Sequence, residues 1–197
     1  MKSRLKKYSS KTVEEVDPDI KEEVDLSLSN DDVDKILQDS GSGTTFVKYD
    51  DLDKSTSILN YLDKRGRMML LLPVLSDSSG HWVCLWFNKR SKTLNYFDPY
   101  GLKPDYWMKH WDAPAAEELT PVLTDMLQQF NNRGGNVLVN TKKYQQYSDK
   151  VNTCGRWCAA RLLLKDVSQA TFDSIMESTG VGLDKSVTLL TKKILGR

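Results

Sequence analysis

Cysteine is scarce in this chain: Cys84, Cys154 and Cys158 are the three in 197 residues. An odd, small number excludes a disulfide framework as the source of stability. It points to a reducing compartment, where a free thiol stays available for chemistry. Long apolar runs are missing too. The longest, Met68 to Leu75, is interrupted by Pro73 and falls far short of the roughly 20 residues that span a bilayer. Met-Lys-Ser-Arg-Leu-Lys-Lys at the start has no apolar segment behind it, so it does not read as a secretory leader. Net charge is nearly absent, with 28 Lys and Arg against 27 Asp and Glu, a formal +1. Nothing therefore demands a membrane or nucleic-acid partner. No internal repeat is visible. The chain is expected to be intracellular, with no cofactor, no metal and at most weak contact with nucleic acid.

What is present suggests one domain with an extension. Residues 1–28 carry a basic stretch, Lys2 to Lys11, then a mostly acidic one, Glu14 to Asp25, with few apolar residues. They read as a charged, solvated or disordered arm, or as a docking arm. Residues 29–197 form the expected domain. Ser29-Asn30-Asp31-Asp32 starts a helix that Gly41-Ser42-Gly43 ends, and Ser55 can cap a second, short one. Three strands follow, Arg67 to Leu75, Gly80 to Asn88 and Thr93 to Asp98. The polar turn Lys89 to Lys92 folds the last two into a hairpin. His-Trp-Val-Cys-Leu-Trp-Phe is apolar at both parities, as in a central strand covered on both sides. Glu117 to Phe130, with Leu119 on its apolar face, reads as an amphipathic helix. Val137 to Gln145 reads as a fourth strand. Helices from Cys154 to Leu164, Ala170 to Glu177 and Lys185 to Leu195 complete the pattern. The fold class is α+β: a small mixed or antiparallel sheet of four to five strands flanked by helices.

Three residues of chemical interest converge in this layout. Cys154 sits where a loop becomes a helix, with Asn152-Thr153 as its cap; amide N–H groups and the dipole there favour a thiolate. Gly155 follows at once and adds no side-chain bulk. His81 opens the central strand, and Asp98 ends its hairpin partner. With the turn near Lys89 to Ser91 the two face each other, and cross-strand Cβ atoms lie about 4.5–5.5 Å apart. A carboxylate there can orient an imidazole, and the imidazole can activate the thiol. A rival arrangement uses His81, Cys84, Cys154 and Cys158 as zinc ligands. Against it, His81 and Cys84 are three apart on a strand and point to opposite faces. Cys84 and Cys158 then read as core residues. A catalytically inactive interaction module is a further alternative.

Gly80-His81-Trp82, Tyr96-Phe97-Asp98-Pro99-Tyr100-Gly101 and Asn152-Thr153-Cys154-Gly155-Arg156-Trp157 together resemble the clan of adenovirus maturation proteases and SUMO-specific proteases. The order His, Asp, Cys is that of the clan. The forms around Asp98 and Cys154 look most like maturation proteases of large DNA viruses, virophages and related elements. The resemblance covers roughly residues 46–164. It implies a thiol endopeptidase with the triad Cys154, His81 and Asp98, cutting viral capsid precursors near Gly or other small residues. It places the chain in host cytoplasm or a viral factory, or packaged in the virion. An isopeptidase acting on ubiquitin-like proteins is the alternative within the clan. A glutamine upstream of the cysteine is implied as an oxyanion donor; Gln145 and Gln146 both stand there, with Gln146 preferred. Trp82 is implied to flank the site. An activating peptide or DNA, as the adenovirus enzyme uses, has no matching feature here.

Overall fold

The computed structural model describes residues 17, 19–38, 43–76, 79–106, 108 and 121–197. Among them are six α-helices: α1 (Ile20–Asp25), α2 (Asn30–Ile36), α3 (Val122–Asn132), α4 (Cys154–Leu163), α5 (Gln169–Glu177) and α6 (Leu183–Leu195). Five strands form one mixed sheet in sequential order: β1 (Thr45–Lys48), β2 (Arg67–Ser76), β3 (Ser79–Asn88), β4 (Thr93–Phe97) and β5 (Asn136–Val139). The central strand β3 is antiparallel to both β2 and β4, and each edge strand runs parallel to its neighbour. The class is α+β, as the alternation of patterns predicts.

The central strand separates two cores, which explains its continuous apolar sequence. Cys84 and Trp86 face one side, packed with α2, α4, α5 and α6. Val83 and Leu85 face the other, against Leu123, Met126 and Leu127 of α3. Helix α4 lies on β3 and is buried from Gly155 to Leu162. Ala159 and Ala160 let its backbone approach the sheet, and their burial removes apolar surface from water at about 25 cal/mol per Å².

Several expectations shift. Ser29 caps α2 in a reciprocal capping box with Asp32, but the glycine-rich end expected for that helix at 41–42 lies outside the described residues. The second short helix is a 3-10 turn, Ile58–Tyr61, capped by Ser57, because Ser55 is drawn into bonds with Asp53. Helix α3 starts after Pro121; the expected first part, Glu117 to Thr120 with Leu119, is outside the described residues. The fourth strand of the sequence reading, to Gln145, stops at Val139. Beyond it the chain bonds to a turn instead of a ladder, with the Tyr144 and Gln145 amides donating to Pro99 O at 2.8 and 3.0 Å.

The charged arm is also not solvated throughout. Residues 1–16 are outside the described residues, but Ile20, Val24 and Leu28 are buried against the body. Ile20 and Val24 share one face of α1, and Leu28 lies in the extended segment three residues past its end. Helix α1 is pinned by Arg156, which is fully buried: Nη2 meets Glu23 Oε2 at 2.7 Å, and Nη1 donates to Thr191 Oγ1 at 2.9 Å. Asn152 adds a backbone bond to Val24 O and side-chain bonds to Asp25. Removing one partner of a buried pair strands the other charge, so Glu23→Ala is expected to lower unfolding free energy by about 3–5 kcal/mol. Glu177→Ala, which breaks an exposed pair with Lys142, is expected to cost under about 1 kcal/mol. Urea denaturation of both variants checks this; equal, small losses would refute the pinning.

Candidate active site

The β3–β4 hairpin sets the site's register. Its ladder closes at Asn88–Thr93 around the turn Lys89 to Lys92, with Lys92 at φ +50°, and ends at the pair Cys84–Phe97. Asp98 is therefore one step past the ladder and diagonal to His81, not directly opposite it as the sequence suggests. The four-residue turn makes that difference. The carboxylate still reaches back: His81 Nε2 lies 2.9 Å from Asp98 Oδ1.

The turn after β4 assigns a task to each residue of Asp98-Pro99-Tyr100-Gly101. Asp98 Oδ1 also accepts the Tyr100 amide at 2.7 Å. Its backbone is clamped on both sides by Asn140, whose Oδ1 accepts the Asp98 N–H at 2.7 Å and whose Nδ2 donates to Asp98 O at 2.9 Å. Pro99 O holds the Tyr144–Gln145 segment. The Tyr100 ring stacks on His81, centroids 4.6 Å apart, and on Tyr147 at 4.3 Å. Gly101, at φ +72°, lets the backbone pass Thr141 and Lys142; a Cβ there would sit 2.9 Å from their main-chain atoms.

Cys154 is the first residue of α4 and is half-buried. Its thiol hydrogen-bonds to His81. With Nε2 committed to Asp98, the ring offers Nδ1 to the sulfur. Burial pushes the Cys154 thiol up, but the bond to and charge of His81, together with the Trp82 and Gly155 amides, bring it below an ordinary thiol. For His81, burial pulls down, while the Asp98 charge and hydrogen bond, then Cys154, raise it from 6.5 to about 9. The two shifts run towards a thiolate–imidazolium pair, the thiol made more acidic and the imidazole more basic by one another.

Thr153 is the N-cap of α4, but its side chain makes no capping bond. The hydroxyl instead donates to Asp184 Oδ1 at 2.5 Å, which leaves the first amides of α4 uncapped beside the sulfur. Gly155 is buried, and a Cβ on it would face Trp82 and Leu28 at 3.5 and 3.6 Å. Those are ordinary contact distances, so an alanine side chain would fit there. Trp82 flanks the site: its amide faces the sulfur, and its ring meets Phe46 edge-on.

The two glutamines differ sharply. Gln145 is 2% exposed, and its Nε2 donates to Tyr100 Oη at 3.0 Å and Val151 O at 2.8 Å. Gln146, the one preferred from sequence, is exposed, and its backbone N–H donates to Asp184 Oδ2 at 3.0 Å. The remaining candidate ligands of a zinc site are not gathered. His81 is engaged by Asp98 and Cys154, whereas Cys84 Sγ contacts Cys158 O in the core at 3.7 Å. No group of three metal-binding side chains occurs among the described residues, and none of their helices is long and apolar enough to cross a membrane. Sequence reasoning missed Asn140, Asp184 and the work of Tyr100. Only Tyr100 left a signal, its place in the turn after Asp98.

The pair's pH behaviour follows from the signs. A depressed thiol keeps Cys154 as thiolate below the ordinary range near pH 8.5, and the raised imidazole keeps its proton up to about pH 9. Iodoacetamide should therefore alkylate Cys154 with a midpoint below that of an ordinary thiol, ahead of the buried Cys84 and Cys158. His81→Ala should move the midpoint of that reaction upward, towards a free thiol. Mass spectrometry of modified peptides across pH reads both; an unshifted midpoint in the variant refutes the pair.

The chain matches no protein-family model. It is 30% identical over 173 residues to the uncharacterized protein V9 of Sputnik virophage, spanning 84% of this chain and 94% of V9. Among solved structures it is similar to the ASFV pS273R protease, at 17% identity and a TM-score of 0.47, over 84% of this chain. It spans 66% of that chain, just under two thirds of its length. It is also similar to the C-terminal Ulp1 protease domain solved in complex with Smt3, the yeast ortholog of SUMO. There the identity is 14% and the TM-score 0.41, over 91% of this chain and 81% of that one.

Proposed function

The chain belongs to the family of Sputnik virophage protein V9, and from its site we propose that it is a cysteine protease with Cys154 as nucleophile, His81 as proton carrier and Asp98 as the residue that orients His81. One observation carries this reading: an imidazole bonded to a buried carboxylate through Nε2 and to a helix-terminal thiol through its other side. That is the geometry of an activated nucleophile.

In the proposed reaction the Cys154 thiolate attacks the scissile carbonyl carbon. The His81 imidazolium then gives its proton to the departing amine, and water releases the acyl group from sulfur. The negative carbonyl oxygen needs donors. The Cys154 amide is one, and Gln145 supplies the other in place of Gln146. One hydrogen of Gln145 Nε2 is anchored on Val151 O, while the other points at the Tyr100 hydroxyl and can transfer to the oxyanion. Burial fixes this side chain, whereas Gln146 points to solvent.

The substrate we propose is a viral capsid precursor cut near Gly or another small residue, a reading supported by the motif resemblance and the virophage relative. Removal of a ubiquitin-like tag is the competing outcome. Incubating the full chain with a virophage capsid precursor, and separately with a ubiquitin-like fusion ending in Gly-Gly, distinguishes them. Cleavage of the precursor by wild type and none by Cys154→Ala is expected. Cleavage of the fusion alone would replace the capsid reading, and full activity of Cys154→Ala would sink the mechanism. Gln145→Ala is expected to lower kcat by about 10²–10³, the usual cost of one oxyanion donor. Gln146→Ala should leave kcat within about twofold, since its side chain is not needed as a donor.

A further inference from the structure

Asp184 lies in the first turn of α6, thirty positions past the nucleophile, with its side chain nearly buried at 7% exposure. Its carboxylate touches neither Cys154 nor His81 through any hydrogen bond described above, yet it joins the two segments on which the reaction depends. Oδ1 accepts the Thr153 hydroxyl at 2.5 Å and the Trp157 indole N–H at 3.0 Å. Oδ2 accepts the backbone N–H of Gln146 at 3.0 Å. Thr153 immediately precedes Cys154, Trp157 is one turn along the same helix, and Gln146 immediately follows Gln145. A single rigid group therefore sets the span between the nucleophile and the glutamine amide.

The same contact has a second effect. A threonine at a helix N-cap ordinarily turns its oxygen to an amide in the first turn. Here Asp184 takes the Thr153 hydroxyl as a donor, and no side-chain cap forms. The amides at the start of α4 are left for the sulfur and for a developing negative oxygen. Asp184 thus acts on the oxyanion side of the site, while the thiolate–imidazolium pair is held separately by Asp98, Asn140 and the β3–β4 hairpin.

We infer that Asp184 is a positioning residue for the oxyanion hole, fixing Gln145 relative to the Cys154 amide; this rests on the protease reading of the site. Its signature is a split between two reactions of one sulfur. Alkylation by iodoacetamide displaces iodide and forms no oxyanion. Acylation by p-nitrophenyl acetate does: sulfur bonds to the ester carbon, the carbonyl oxygen becomes negative, and collapse breaks the C–O bond, releasing p-nitrophenolate and leaving a thioester.

The experiment measures both rates on the full chain for wild type, Asp184→Asn and Thr153→Val, with thermal melts of each. Asp184→Asn sets an amide N–H against groups that already donate. It is expected to slow acylation about tenfold, a fraction of the roughly 10²–10³ lost with a whole oxyanion donor. Alkylation should stay within about twofold, because the thiolate–imidazolium pair that sets it is held by other residues. Thr153→Val removes one link at constant volume and should move the ratio in the same direction by a smaller factor. In a Gln145→Ala background the Asp184→Asn loss should largely vanish, as for residues acting as one unit. Equal slowing of both reactions, no change in either, or additive losses with Gln145→Ala would overturn the inference. Failure of the protease reading is separate: it would appear as intact acylation and alkylation with no cleavage of any protein substrate.

Discussion

The site depends on a 2.9 Å hydrogen bond between His81 and Asp98 made where a sheet ladder has already ended. Within the ladder, side chains are fixed by pleat and register. One step past it they are not, and something else must hold the carboxylate. The turn Asp98 to Gly101 does this through three sets of bonds: Asn140 on the Asp98 backbone, the Tyr100 amide on its Oδ1, and Pro99 O on the segment that ends in Gln145. The group that orients the imidazole and the group proposed to receive the oxyanion thus share one support. A shift of the turn would disturb both at once.

On the other side of the candidate site, Cys154 is held by a helix that is buried almost all round. Its N-terminal amides are left without a side-chain cap because Thr153 bonds elsewhere. This arrangement sacrifices a stabilising cap, ordinarily about 1 kcal/mol, and leaves those amides beside a thiol held below the ordinary range. Local stability and the chemistry of the site pull in opposite directions here, and the surrounding core makes up the difference.

Much of this was legible in the sequence because it is written locally. The apolar run of β3 at both parities announced a central strand with two cores. The Ser29 capping box, the Lys89 to Lys92 turn and the loop-to-helix step at Cys154 are likewise short-range signals. What escaped is long-range. The diagonal placement of Asp98 depends on how many residues the turn spends. The choice between Gln145 and Gln146 depends on which side chain meets Tyr100 and Val151, a question of one residue of parity in an irregular segment. The arm was judged by its charge, and Ile20, Val24 and Leu28 did not stand out among its acidic residues. Asp184 carries no mark in sequence at all, since an acidic residue in a helix's first turn is common for electrostatic reasons alone.

The buried Arg156–Glu23 pair has a consequence for the order in which the chain assembles. Its partners are 133 residues apart, and Asn152 and Asp25, which close the same seam, are separated by 127. Arg156 and Thr153 also need Thr191 and Asp184 from α6. Contacts this distant are reached late and slowly in folding. As the ribosome releases the chain, His81, Asp98, Gln145 and Cys154 are all made before α6, which supplies those two partners. The seam around the start of α4 is therefore completed only after the residues proposed to react have all been made.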